Sequence, residues 1–179
     1  MGLAACLLAG AEADYWSAKR KIELIQSDQV AAGAHVTLRA GELEAYAKRE
    51  IRSVAPEGVR EPRLELGNGE AKGFAYIDFP KLRRALGHPM GWLMARLLAG
   101  ERPVRVKARI RSGGGRATVD LERVEISGLT VSGAALDFLI RNFVLPYYPE
   151  AKIGQPFELA HRIERLEVRP SEVRVLIKR

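Results

Sequence analysis

Hydrophobic and polar residues alternate with a period of two along several stretches of the chain, most regularly over residues 104–111. There valine, alanine and isoleucine occupy one face, while Arg105, Lys107, Arg109 and Arg111 occupy the other. This alternation predicts a strand with one buried side and one solvent-facing side. The Ser-Gly-Gly-Gly run at 112–115 tolerates the positive φ of a hairpin turn, and a return strand follows. Its alternation slips by one residue at Arg123, which predicts a β-bulge.

A helix is predicted over residues 134–145, where only Asp137, Arg141 and Asn142 are polar. Asp137 and Arg141 are four residues apart, so they share a face and are placed to pair. A helix that is apolar nearly all round needs cover on more than one side. A bent sheet wrapped around the helix provides that cover and leaves room for an apolar ligand. A simple buried core helix is the alternative.

The remaining pattern predicts further strands and helices. Helices are expected at 41–54 and 81–86, strands at 63–66, 73–79, 163–168 and 173–177, and residues 14–26 begin helical and end strand-like. Helices lie between hairpins, without βαβ alternation. We therefore expect an α+β fold, in which a curved and mainly antiparallel sheet wraps around a long apolar helix, with additional short helices. Residues 14–179 are expected to form a single domain.

Residues 90–99 form a second apolar stretch, in which Arg96 carries the only charge. Glycines at 87, 91 and 100 flank it. Flexible methionines are common at surfaces that adapt to varied apolar partners. The stretch is therefore interpreted as either a mobile flap or a core helix.

The composition limits which class of protein this is and which kinds of partner it favours. The 179 residues are 47% hydrophobic and 28% charged, which is typical of one globular domain with a real core. The net charge of +7 favours an anionic partner, such as nucleic acid, a phospholipid surface or an acidic protein. A solvated basic surface is the plain alternative. A single cysteine, Cys6, excludes an internal disulfide framework and a Cys-based zinc site.

Residues 1–13 are small and apolar, and they resemble the tail of a secretory signal. The Leu-Ala-Ala-Cys sequence ending at Cys6 is similar to a lipoprotein box. We expect a truncated signal or anchor segment here, with the protein exported to the periplasm or envelope. The alternative is that these residues form the first turns of a helix, in a cytoplasmic protein. No apolar run is long enough for a transmembrane helix.

Catalytic motifs are not found. His35, His88 and His161 are far apart and lack metal-ligand spacing. The chain has no Gly-x-Ser-x-Gly elbow, phosphate loop or dinucleotide fingerprint. We therefore expect a protein that is not an enzyme, with no metal and no cofactor. Nucleic acid is disfavoured as well, since the strands with basic outward faces place no aromatic residues on those faces.

The C-terminal two-thirds resembles the tubular lipid-binding (TULIP) superfamily, in particular its small bacterial envelope members. The resemblance lies in the hairpin 104–126, the turn Ser127-Gly128-Leu129, the helix 134–145, the proline-broken crossing 146–156 and the closing hairpin 163–177. It implies a curved antiparallel sheet around a long helix, with lipid held in the seam between them. Many members are exported or anchored at an N-terminal segment.

Together these features predict non-catalytic binding or transport of a lipid or other long apolar ligand, with an anionic membrane surface as a further partner. The candidate lining residues are Phe74, Tyr76, Phe138, Leu139 and Phe143. The candidate flap residues are Met90, Trp92, Met94 and Leu97, and the candidate headgroup residues are Arg83 and Arg84. The alternative is a structural or interaction domain with a filled core, which docks an acidic partner or nucleic acid through a basic sheet face.

Overall fold

The computed structural model of the protein describes residues 2–55, 57–85, 87, 91–149 and 151–179, apart from the side chains of residues 2–9, 93, 94 and 97. These residues form helices and mainly antiparallel strands, so the predicted α+β class is confirmed. The helices are α1 (Gly2–Gln26), α2 (Ala40–Val54), α3 (Phe79–Ala85), α4 (Trp92–Leu97) and α5 (Gly133–Leu139). The strands are β1 (His35–Arg39), β2 (Val59–Gly67), β3 (Glu70–Ile77), β4 (Arg102–Gly113), β5 (Arg116–Ile126), β6 (Leu129–Thr130), β7 (Phe157–Glu158), β8 (Ile163–Arg169) and β9 (Glu172–Ile177).

The smaller sheet has the strand order β1-β9-β8 and is covered by α1. Ala18 and Ile25 of α1 are buried against Leu38 of β1 and Val175 and Ile177 of β9. The prediction that residues 14–26 end strand-like is wrong, because the helix continues to Gln26. The spacing of Ala18, Ile22 and Ile25 is helical, and it places all three side chains in or against this core.

The larger sheet has the order β2-β3-β4-β5-β6, and β7 pairs with the start of β5. Lys107 of β4 lies opposite Arg123 of β5, and the next residue, Ala108, lies opposite Leu121. Glu122 is therefore the extra residue of a bulge, as the slip in the alternation predicted. A bulge bends its strand and increases the local twist of the sheet.

The predicted helix 134–145 is present as α5 followed directly by a π-helical turn, Ile140–Val144. None of its residues is fully buried. The Nε of Arg141 donates a hydrogen bond to the main-chain oxygen of Asp137, at 3.3 Å, in place of the predicted pairing with the Asp137 side chain.

The helix predicted at 81–86 begins two residues earlier, at Phe79, and β3 correspondingly ends at Ile77. Asp78 accounts for the difference, because its Oδ1 accepts a hydrogen bond from the backbone N–H of Lys81, at 3.0 Å, and so caps the helix. Pro80 then occupies the first turn, where a missing N–H does no harm. Phe79 is thereby directed into the protein as a helical residue and is buried.

The two sheets meet where hairpin turns of the larger one contact edge strand β8 of the smaller one. The N–H of Gly69 donates to the oxygen of Val168 at 3.0 Å, and that of Gly115 donates to the oxygen of Glu164 at 2.8 Å. Between them, Ser112 Oγ donates to the oxygen of Leu166 at 2.8 Å and accepts from its N–H at 2.7 Å. These bonds satisfy backbone groups that an open sheet edge would leave exposed.

Candidate functional site

A cavity of about 480 Å³ lies between the inner face of the larger sheet, helices α2 and α3, and the helix formed by α5 and the π-turn. Its walls are almost wholly apolar. The strand residues that line it include Val59, Pro62, Leu64, Gly73, Ala75, Ile77, Val104, Val106, Leu121, Val124 and Ile126. The helical residues that line it include Ala47, Ile51, Leu82, Leu136, Leu139, Ile140, Phe143 and Val144.

The strand alternation seen in the sequence builds this wall. Leu64, Gly73 and Val106 lie opposite one another in β2, β3 and β4, so they form one row across the inner face. Gly73 sits in the middle of the row, and a Cβ atom built on it would meet no other atom within 4 Å. The position therefore faces open space.

Helix α2 closes the cavity with one face and packs against α1 with another. Glu44, Ala47, Lys48 and Ile51 are spaced three and four residues apart and line the cavity. Lys48 Nζ lies 2.8 Å from Glu44 Oε1, so these two charges neutralise each other at the wall. Leu43 and Tyr46, on a different face, contact the core of the smaller sheet.

An aromatic cluster joins the π-turn to α3. The rings of Phe79 and Phe143 meet edge to face, with centroids 4.9 Å apart. The hydroxyl of Tyr147 donates a hydrogen bond to the main-chain oxygen of Leu82, at 3.2 Å, and burial raises the pKa of this phenol. Because Phe143, Tyr147 and Leu82 also line the cavity, this cluster fixes one of its walls.

Of the five predicted lining residues, Leu139 and Phe143 border the cavity from the helix. Phe74 also reaches its border, but its ring lies on the outer face of the sheet, against Tyr76 and Arg105. Phe138 lies next to the cavity, with its ring centroid 6.3 Å from that of Phe143. Tyr76 does not border it. Its ring packs against Phe74 and is covered by the guanidinium of Arg60, whose Cζ lies 4.5 Å from the ring centroid.

The predicted headgroup residues, Arg83 and Arg84, lie in the last turn of α3 and do not border the cavity. The predicted flap is partly described as α4, where the side chain of Trp92 is 79% exposed. Met90 and the side chains of Met94 and Leu97 lie outside the described residues.

Sequence reasoning missed much of the lining. It assigned Phe74 and Tyr76 to the cavity, whereas Ala75 and Ile77, on the other face of β3, form its inner wall. The predicted strand 73–79 has two apolar faces, whereas β3 begins at Glu70, and Glu70 and Lys72 share the face of Phe74 and mark it as the outer one. The apolar stripe of α2, including Ala47 and Ile51, was a usable signal for the opposite wall.

The outer face of the larger sheet carries a ladder of ion pairs. Lys107 Nζ lies 3.1 Å from Glu70 and 2.9 Å from Glu122, and Arg109 pairs with the same two carboxylates. Hydrogen bonds from Lys107 and Arg109 lower the pKa of Glu122. Most of the cations on this face are therefore neutralised by their neighbours.

The described residues hold neither a metal-binding cluster nor a membrane-spanning helix. In these ranges no group of three or more His, Cys, Asp and Glu residues is placed to hold a metal ion. Within the same ranges, no helix combines the length and the hydropathy needed to span a membrane. When the sequence is compared with known proteins, no family model and no curated protein matches it.

Proposed function

We propose that the protein binds a lipid or another long apolar ligand in the cavity, without catalysing a reaction. The observation that carries this proposal is a cavity of about 480 Å³ whose walls are almost wholly apolar. Binding pockets for small molecules have volumes of roughly 300–1,000 Å³ and predominantly hydrophobic walls. The volume and the chemistry of the walls both fit such a ligand.

The affinity would come from burial of the ligand's hydrocarbon. Each CH₂ group moved out of water contributes roughly 0.8 kcal/mol. An acyl chain of ordinary length would therefore be held without a specific polar contact. The helix of α5 and the π-turn supports this interpretation, because it is mostly apolar and yet none of its residues is fully buried.

The ligand would enter between the end of α2 and the segment after the π-turn. Val54 and Tyr148 both border the cavity, and their side chains are 39% and 52% exposed. A polar headgroup at this opening would remain in water. We therefore place the headgroup at this opening, and contact of the flap and of Arg83 and Arg84 with the ligand stays a prediction.

A relationship with the tubular lipid-binding superfamily and a location in the bacterial envelope are parts of the same proposal. They are supported by the order of hairpin, apolar helix and closing hairpin, and by the signal-like residues 1–13. Mass spectrometry of the mature N-terminus, taken from cells, tests the location. Cleavage or lipidation near Cys6 would support export, and an intact unmodified Met1 on cytoplasmic protein would contradict it.

The primary experiment is lipid extraction from the purified protein, with mass spectrometry of the extract and native mass spectrometry of the intact protein. We expect a stoichiometric lipid adduct. A clean apo mass, with no uptake of added fluorescent fatty acid, would contradict the proposal and favour an interaction domain.

A pair of glycine variants locates the ligand. Gly73→Leu places a side chain in the cavity where a Cβ meets no atom, so the variant should fold and should lose most of the adduct. Gly113→Leu is the matched control. It also lies in a strand of the larger sheet and also has open space at its Cβ, but it does not border the cavity. If both variants retained the adduct, the ligand would lie elsewhere.

Phe143→Glu tests the helical wall. It introduces a carboxylate where the Phe143 ring borders the cavity and packs on Phe79. Lipid uptake should fall sharply. A folded variant that binds lipid as well as the wild type would show that the seam between sheet and helix is not the binding site.

A further inference from the structure

A second concave region lies on the outer face of the larger sheet, behind the cavity wall. It is a groove of about 420 Å³, lined by Arg63, Glu65, Lys72, Gly73, Phe74, Arg105, Val106, Lys107, Arg123 and Glu125. Five of these ten residues are cationic and two are acidic. The groove therefore has a net positive charge.

The cations of the groove fall into two groups. Lys107 is paired with Glu70 and Glu122, and Arg123 Nε lies 2.7 Å from Glu125. Arg63, Lys72 and Arg105, in contrast, have no carboxylate within 4 Å among the residues that the structure describes. We call these three residues the unpaired triad.

Strand pairing brings the unpaired triad together. Arg63 and Arg105 lie on either side of Phe74 in one cross-strand row, and Lys72 lies in the next row. Two strand spacings separate the backbones of the arginines, a distance of about 10 Å. Two arginine side chains reach across such a gap to a group between them, and the guanidinium geometry matches phosphate oxygens.

Phe74 forms the floor between the two arginines. The Cζ of Arg105 lies 5.4 Å from its ring centroid, which places this guanidinium over the groove. Phe74 and Tyr76 also contact each other and are each covered by an arginine. Their rings are therefore not free to stack bases, as a single-strand reader would require.

We propose that the unpaired triad binds one phosphate group carried by a small molecule or by a phospholipid headgroup. A single group fits better than a polyanion, because the neighbouring cations along β4 are already neutralised, and they leave no continuous track of free charge. The site faces away from the cavity and does not depend on lipid binding there.

The test is a titration of the full-length protein with glycerol 3-phosphate, monitored by the amide chemical shifts. Shifts should concentrate at residues 63, 72–74 and 105. Arg105→Gln should weaken binding about tenfold, since it removes a charge-assisted hydrogen-bond donor. Arg63→Gln should act in the same direction, and it leaves the Arg105–Phe74 contact in place.

Arg111→Gln is the matched control, because it removes the same charge from the same strand and the same face. Arg111 is already paired, with its Nη2 2.6 Å from Asp120, and it does not line the groove. It should change the affinity by about twofold or less, the effect of a distant screened charge. Equal weakening by Arg105→Gln and Arg111→Gln would overturn the proposal, because only the net charge would then matter.

A second arm identifies the source of the phosphate. The protein is floated with vesicles of phosphatidylcholine, with and without phosphatidylglycerol. Flotation that needs phosphatidylglycerol and is lost in Arg105→Gln assigns the site to a lipid headgroup, whereas binding of glycerol 3-phosphate alone assigns it to a free organic phosphate. The proposal is overturned if neither probe binds, or if only a single-stranded oligonucleotide does. Phe143→Glu, which changes the cavity wall at a residue that does not line the groove, keeps this test separate from that of lipid binding.

Discussion

The two sheets of the protein use the same alternating pattern but differ in what covers their apolar faces. On the smaller sheet, α1 packs directly, and Ala18 has no exposed surface while Ile25, Leu38, Val175 and Ile177 are nearly as buried. On the larger sheet, the covering helix has no fully buried residue, and a cavity of about 480 Å³ remains.

The size of the contacting residues and the anchoring of the helices account for much of this difference. Ala18 allows α1 to approach its sheet closely, and a partly buried ion pair joins α1 to α2. Lys21 Nζ lies 2.7 Å from Glu42, a carboxylate that also accepts hydrogen bonds from Ser17 and from the backbone N–H of Arg39. The helix over the larger sheet is instead anchored near its C-terminal end, where Phe143 packs on Phe79 of α3. An apolar strand face in the sequence therefore does not by itself predict that side chains fill the space above it.

The largest expected contrast is between two leucines in the two sheets. Leu38→Ala, in the filled core, should lower the free energy of unfolding by about 3 kcal/mol, because it leaves a new void. Leu64→Ala, at the cavity wall, should lower it by only about 1 kcal/mol, because its side chain already borders open space. Urea unfolding monitored by circular dichroism measures both values. Equal losses would mean that the wall is packed as tightly as the core.

Two glycines provide a second contrast. A Cβ on Gly58 would lie 2.2 Å from Leu82 Cδ2 and 3.2 Å from the backbone N of Leu82. Gly58→Ala should therefore cost about 2 kcal/mol through overpacking of α3. Gly73→Ala should be neutral or slightly stabilising, since its Cβ meets nothing within 4 Å and glycine weakens a strand. Thermal unfolding of both variants tests this, and a comparable loss in Gly73→Ala would argue against open space there.

The ion pair between α1 and α2 provides a third contrast. Lys21→Met leaves Glu42 buried without its cation and should cost about 1.5 kcal/mol near neutral pH. Lys107→Met is the control, because Lys107 is about as exposed but its carboxylate partners are far less buried, so its loss should be clearly smaller.

The same pair makes stability depend on pH. Burial by itself would raise the pKa of Glu42, but hydrogen bonds from Lys21, Ser17 and the Arg39 backbone outweigh it, and the pKa lies below the ordinary value of 4.5. A lowered folded-state pKa adds stability above the unfolded value, and this stability is lost as the pH falls through the folded value. As the pH falls from about 5 to about 3, the free energy of unfolding of Glu42→Gln should therefore decrease less than that of the wild type. Urea unfolding of both proteins at several pH values in this window measures the difference. Equal decreases in the free energy of unfolding would refute the assignment to Glu42.

The smallest effect is expected at Tyr147. Tyr147→Phe removes the hydrogen bond to Leu82 and should cost about 1 kcal/mol. Because the bond joins the end of the π-turn to α3, amide exchange should quicken in both segments. Unchanged exchange there would show that the phenylalanine contacts alone hold this wall.

The local sequence pattern was sufficient to predict most of the helices and strands. The hairpin of β4 and β5, its bulge at Glu122, helix α2 and the closing hairpin of β8 and β9 all follow from alternation, turn residues and helical spacing. It failed at residues 22–26, where Ile22 and Leu24 imitate a strand over too few residues to outweigh the helix before them. It also missed the inner face of β3, because the predicted strand began at residue 73 and left out Glu70 and Lys72, the charged residues of the outer face.

The sequence by itself determined the α+β class, the presence of an apolar helical segment within residues 134–145 and the basic outer face, because each depends on residue types at fixed local spacing. Only the tertiary structure decided that the helix stands off its sheet and that α2 closes the cavity. It also decided which of the five groove cations have a carboxylate within 4 Å among the residues that the structure describes. These features depend on distances between residues far apart in the chain, and local periodicity does not encode such distances.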